Sequence, residues 1–130
     1  MKPINTSGKR KSAIARAVLK AGKGVVRINS QLLDVYGQKM YRMKVQEPLI
    51  LAGDVVKKVD ISVNVKGGGA MSQAEAARLA IGKALAQFNA PLKKVFLSYD
   101  RTLIVADVRR KEPYKPNVSK ARAKRQKSYR

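Results

Sequence analysis

Residues 59–88 read VDISVNVKGGGAMSQAEAARLAIGKALAQF, and the fold class turns on how this stretch divides. Its first seven residues alternate. Val59, Ile61, Val63 and Val65 fall on one side of an extended chain, and Asp60, Ser62 and Asn64 on the other, so the segment reads as a half-buried strand. After Lys66-Gly67-Gly68-Gly69 the period changes. Ala74, Ala77, Ile81, Ala84, Leu85 and Phe88 recur on one helical face, and Ser72 with Glu75 has the spacing of a capping box, so a helix is expected from about Gln73. A strand, a glycine loop and a long helix in succession place the chain in a mixed class.

Working outward, Ser12–Lys20 (SAIARAVLK) alternates and reads as a strand. Val25–Asn29 (VVRIN) follows the turn AGKG and is expected to return beside it as the second arm of a hairpin. Gln31–Gly37 has no decided type, and Val45–Ala52 suits a helix with Pro48 in its first turn. Downstream, Leu92–Leu97 suits a second short helix, and Thr102–Val108 (TLIVADV) a closing strand. The class is α+β with a mostly covered sheet, in two parts: a globular domain over 1–108 and a basic tail over 109–130.

The charge marks out the same division. Lys and Arg outnumber Asp and Glu by 29 to 8, a net +21 over 130 residues. Residues 1–27 carry eight Lys or Arg and no acid, and residues 109–130 carry ten against Glu112 alone. Residues 28–108 are close to balanced, with eleven against seven. Self-repulsion on this scale opposes compaction unless a polyanion supplies counter-charge. A membrane surface would call for a basic amphipathic helix, which no segment provides; no apolar run is long enough for a span, and the N-terminus has no signal-like stretch. Nucleic acid is the partner class indicated.

Catalysis finds little support. His and Cys are absent, which removes Ser-His and Cys-His nucleophiles, disulfides and Cys/His metal sites. The absence of cysteine is compatible with a reducing cytosol. The scattered acids form no spaced pair for acid/base work. Gly67–Gly69 before a helix could let backbone N–H groups approach a phosphate, but neither the Walker pattern nor the dinucleotide fingerprint is met. The plain alternative is a tight turn that needs positive φ. No cofactor and no small-molecule substrate are expected.

The two basic ends differ in kind. Lys9, Arg10 and Lys11 are consecutive, so on an extended chain they splay to alternate sides and suit a surrounding phosphate backbone better than one small ligand. Arg16 stands among alanines, where its fork is free to take a phosphate bidentately. The tail starts with Pro113 and Pro116 and offers Tyr114 and Tyr129 for stacking. Its last eighteen residues would reach roughly 60 Å if fully extended. Order only on RNA, and affinity that falls steeply with salt, are the expected behaviour.

Three stretches carry a resemblance. SGKRKSAIARA (7–17), VNVKGGGAMSQAEAARLAIGKAL (63–85) and YDRTLIVADVRR (99–110), the last followed by KARAKRQKSYR (120–130), are similar to the universal S-nine family of small-subunit ribosomal proteins. The QKSYR ending resembles the archaeal and eukaryotic branch. The resemblance implies a two-layer α+β sandwich of the type of the second domain of ribosomal protein S-five, with a left-handed β-α-β crossover and an extended basic C-terminal tail. It implies no enzyme activity and a place in the cytoplasmic ribosome, in the small-subunit head. There the chain would bind the 3′ major domain of the rRNA beside neighbouring ribosomal proteins and send its tail to the anticodon stem-loop of the P-site tRNA. Carried over by position, rRNA contacts fall on Lys9, Arg10, Lys11, Arg16, Lys66, Gly67, Gly68, Gly69, Arg109, Arg110, Lys111, Lys115, Lys120, Arg122, Lys124 and Arg125. The tRNA contacts fall on Lys127, Ser128, Tyr129 and Arg130. The competing readings are a histone-like packager of nucleic acid and a fragment of a small-molecule kinase.

Overall fold

A computed structural model describes residues 1–122 of the chain. Five strands form one sheet: β1 (Ile4–Arg10), β2 (Ala13–Ala21), β3 (Val26–Ile28), β4 (Gln31–Leu32) and β5 (Val59–Lys66). Three α-helices accompany them: α1 (Lys39–Ala52), α2 (Ala70–Phe88) and α3 (Leu92–Tyr99). The α+β class and the strand–loop–helix reading of 59–88 hold. The spatial order is β1-β2-β5-β3-β4. All neighbours are antiparallel except β3 and β5, which run parallel with α1 in the connection between them.

The hairpin expected between β2 and β3 does not form, because β5 lies between them. AGKG is a bridge across the start of β5. The N–H of Gly22 donates to the Lys58 carbonyl and that of Gly24 to the Val59 carbonyl, at 3.1 and 3.0 Å. The Asp60 carboxylate accepts the N–H groups of Lys23, Gly24 and Val25 at 2.9, 3.1 and 2.9 Å. These amides draw its pKa below the ordinary carboxylate value, with Val25 and Lys23 leading. The true hairpin partner of β2 is β1, which the basic N-terminal sequence concealed. A second tight hairpin joins β3 to β4 through Asn29 and Ser30, both at positive φ, as a two-residue primed turn requires.

The pleat decides burial. Ala13, Ala15, Ala17 and Leu19 of β2, Val26 and Ile28 of β3, and all four valines and isoleucines of β5 point to the helices and are buried. The residues between them are largely exposed, so the sheet is covered on one face only. α2 packs on β1, β2 and β5 and also receives α1 and α3. That double duty is why its burial exceeds one stripe, taking in Ala76, Arg78, Leu79 and Ala80 as well. Small residues permit the close approach: a Cβ on Gly8 would lie 2.3 Å from the Ala76 carbonyl oxygen. Phe96 and Leu103 close the core at full burial.

Several boundaries move. α2 starts at Ala70 with Gly69 as its N-cap and no side-chain cap. Ser72 is already inside the helix, so the capping box does not exist, and Glu75 is used elsewhere. α1 begins at Lys39, which puts Pro48 in the helix interior. Burial of Val45, Pro48 and Ala52 along one side against the core compensates for the hydrogen bond that proline cannot donate. Thr102–Val108 is not a strand. Arg101–Leu103 forms a single 3₁₀ turn, capped by the Asp100 carboxylate on the Thr102 N–H at 3.0 Å, and an irregular run follows. Leu103 enters the core beneath α2 singly, where Gly82 leaves room for its carbonyl, so the apolar run has no sheet to join.

Candidate nucleic-acid interface

The uncovered face of the sheet carries every second residue of four strands. β1 contributes Asn5, Ser7 and Lys9; β2 contributes Ile14, Arg16, Val18 and Lys20; β5 contributes Ser62, Asn64 and Lys66; β3 contributes Arg27. Cross-strand register sets them in rows. Lys9, Ile14 and Lys66 stand opposite one another, as do Ser7, Arg16 and Asn64, and Val18, Ser62 and Arg27. Neighbouring strands are about 4.8 Å apart, so Lys9 and Lys66 flank Ile14 at roughly 10 Å from each other.

Five cations therefore share one rigid face: Lys9, Arg16, Lys20, Arg27 and Lys66. Among the described residues none of them has an acidic partner within ion-pair distance. Asp60 is the one acid on this face, and its carboxylate is committed to the backbone of the AGKG bridge. Asn64, Ser62, Ser7 and Asn5 supply neutral donors and acceptors, and Ile14 and Val18 a flat apolar floor. A pleated surface of unpaired cations over small polar groups matches an extended phosphodiester chain, which offers charge along its length and sugar edges beside it.

The site residues named from sequence separate into three groups. Lys9, Arg16 and Lys66 are brought together on the open face. Arg10, Lys11 and the glycines are not. Arg10 has the opposite pleat phase and points under α2, where its Nε donates to Glu75 Oε2 at 2.8 Å. Lys11 occupies the β1–β2 turn at φ 52. Gly67 and Gly68 adopt positive φ, and a Cβ on Gly67 would meet the Ser12 carbonyl oxygen at 2.7 Å, so the tight-turn reading accounts for both. Gly69 is the N-cap of α2 with open space around it.

In the tail, Arg109 pairs with Asp107 at 2.7 Å and holds that carboxyl well below its ordinary pKa. Arg110 donates to the Lys11 carbonyl at 3.2 Å. Lys111 lies over the Tyr114 ring, 5.0 Å from its centroid. Glu112, the tail's single acid, accepts from Lys115 at 2.6 Å and from Arg122 at 2.7 Å. This folds 112–122 into a loop, where an extended path had been expected. Lys120 is exposed. Lys124, Arg125, Lys127, Ser128, Tyr129 and Arg130 lie outside the described residues.

Sequence reasoning passed over Arg27 and Lys20. The signal was available for Arg27, since Val26 and Ile28 flank it as apolar neighbours and put it on the opposite face. It also passed over Arg78, which is buried in α2 and donates to Glu47 at 2.7 Å, Thr102 at 2.9 Å and Asp100 at 3.1 Å. Burial pushes the Asp100 carboxyl up, but bonds from Thr102 and Arg78 outweigh it and leave the pKa lowered. The described residues include no cluster of acids able to hold a metal ion. No described helix is long and apolar enough to cross a membrane.

Comparison with known proteins agrees with the resemblance. The family model for "Ribosomal protein S9/S16" matches residues 8–130. The small ribosomal subunit protein uS9 of Methanococcus vannielii is 52% identical over 134 aligned positions, covering 100% of both chains. The protein of the same name from Methanococcus maripaludis matches to the same extent.

Proposed function

The chain belongs to the ribosomal protein S9/S16 family, whose members are structural proteins of the ribosome and not enzymes, and from that premise we propose how it engages RNA. The open sheet face, through Lys9, Arg16, Lys20, Arg27 and Lys66, holds a phosphate-lined segment of the 3′ major domain of small-subunit rRNA. The observation that carries this reading is the set of five cations that the strand register gathers on one open face, none with an acidic partner among the described residues. Neighbouring proteins of the subunit head complete the surroundings.

On this reading residues 1–108 are the rRNA-binding body and residues 109–130 the basic tail. Arg109, Arg110, Lys111, Lys115, Lys120, Arg122, Lys124 and Arg125 follow rRNA, and Lys127, Ser128, Tyr129 and Arg130 meet the anticodon stem-loop of the P-site tRNA. The mixed sheet with a parallel β3-α1-β5 connection fits a sandwich of the S-five second-domain type, with α1 crossing in the left-handed sense. Ultraviolet crosslinking of full-length and tail-deleted protein tests the assignment. Crosslinks to 3′-domain rRNA in both, and to tRNA anticodon loops only with the tail, are expected. Crosslinks scattered over unrelated transcripts would favour a general nucleic-acid packager instead.

A further inference from the structure

Arg10, Glu75 and Asp107 lie far apart in sequence and meet at the point where the tail leaves the domain. Arg10 is the last residue of β1 and its side chain is 13% exposed. Its Nε binds Glu75 of α2 at 2.8 Å, one guanidinium nitrogen lies 3.7 Å from Asp107, and another donates to the Arg109 carbonyl at 3.2 Å. Asp107, with its side chain 15% exposed, also receives the Arg109 backbone N–H at 2.9 Å. One step further along, Arg110 reaches back to the carbonyl of Lys11 in the β1–β2 turn. No strand or helix fixes residues 106–115. The bonds that tie this stretch to the body run to Arg10 at the end of β1 and to the Lys11 carbonyl in the β1–β2 turn.

We propose that Arg10, Glu75 and Asp107 form a clasp that sets the direction in which the basic tail leaves the domain, so that Arg10 is a positioning residue for the tail and not a contact to RNA. The clasp holds the tail root on the α2 side at the end of β1, and Arg110 carries it to the β1–β2 turn, one residue beyond the strand end that bears Lys9 on the open face. One RNA segment can then run from the sheet onto the tail without a break. Charge economy points the same way: three of the body's seven acids, Glu75, Asp100 and Asp107, line one cavity together with Arg10, Arg78 and Arg109. Of these, two are given to the tail root while the open face keeps none free. The functional value of a fixed exit rests on the reading that the tail binds RNA; the clasp itself does not.

Spin-label distances in the full-length chain test it directly. The sequence has no cysteine, so labels placed through Lys93→Cys on α3 and Ser119→Cys in the tail have no competing sites. A single narrow distance distribution is expected for the otherwise unaltered chain. It should roughly double in width in Arg10→Ala and in Asp107→Asn, as a released linker samples more directions, and stay narrow in Asp107→Glu. Asp107 lies outside the helices and strands, so its variant decides the matter if Arg10→Ala fails to fold. An unchanged width in folded Asp107→Asn overturns the clasp. Deleting Lys127–Arg130 in reconstituted subunits and measuring P-site tRNA retention tests the functional reading separately. Loss of retention there with unchanged width in Asp107→Asn would leave that reading standing and the clasp refuted. The reverse pattern would uphold the clasp and remove the tRNA role.

Discussion

Arg16 and Arg78 are the same residue type on the two sides of one layered domain. Arg78 lies on α2, 8% exposed at its side chain, and its guanidinium is filled by Glu47 of α1 and by Asp100 and Thr102 of the 3₁₀ turn. Arg16 lies on β2 with its backbone equally central, yet no acid approaches it. The difference lies in what surrounds each one. An arginine inside must be matched by protein acids, because an unpaired buried charge is expensive. One on the open face is solvated and keeps its full charge for a partner. On the covered side Arg10 and Arg78 are tied to acids of other segments, and on the open face Arg16 is left to solvent.

The comparison is broken most severely at Arg78. Arg78→Ala strands Glu47 and Asp100 beside the core and should cost about 2–4 kcal/mol of stability, below the about 3–5 kcal/mol of a fully buried pair because both acids are partly exposed. Chemical denaturation measures it, and a cost below 1 kcal/mol would mean that solvent already serves those acids. The contrasting experiment neutralises the open face. In an Arg16→Ala, Arg27→Ala, Lys66→Ala triple variant, unfolding should be nearly unchanged. The salt slope of binding to rRNA should meanwhile fall by roughly 0.7 per lost phosphate contact on an extended strand, or roughly 2 in all. An unaltered slope would remove the open face as an RNA surface.

A smaller effect belongs to Asp60, the acid that sits on the open face but serves the fold. Backbone amides, Val25 and Lys23 leading, lower its pKa in the folded chain below the ordinary carboxylate value. Its contribution is therefore complete above the unfolded pKa and lost as the pH falls through the lower folded value. Thermal unfolding of Asp60→Asn followed from pH 6 to pH 2 should show a reduced Tm at the upper end, with the gap to the parent closing towards the lower. The smallest effect is expected in the tail. Glu112→Gln frees Lys115 and Arg122, both solvent-accessible, so Tm should not move, while RNA binding becomes more salt-dependent as two more cations reach phosphate. A drop in Tm would show that the loop over 112–122 supports the body.

By itself the sequence determined the α+β class, the alternation of β2 and β5, the long α2 helix and the strongly basic ends. Each of these is written in residues close together: a period of two in VDISVNV, a helical period in AEAARLAIGKAL, and runs of Lys and Arg with no acid among them. The same local logic misled where the signal was local but the decision was not. VVRIN looks like a hairpin partner for SAIARAVLK, yet β5, arriving thirty residues later, takes that place because its four apolar residues complete the covered face. TLIVADV has the apolar run of a strand but finds no free ladder, since Leu103 is claimed singly by the core. Most telling is GKRK. Its charge is plain in the sequence, but only the tertiary structure sends Lys9 to the open face, Arg10 to Glu75 and Asp107, and Lys11 into a turn. Pleat phase assigns opposite sides to adjacent residues, and which side is covered depends on where a distant helix packs.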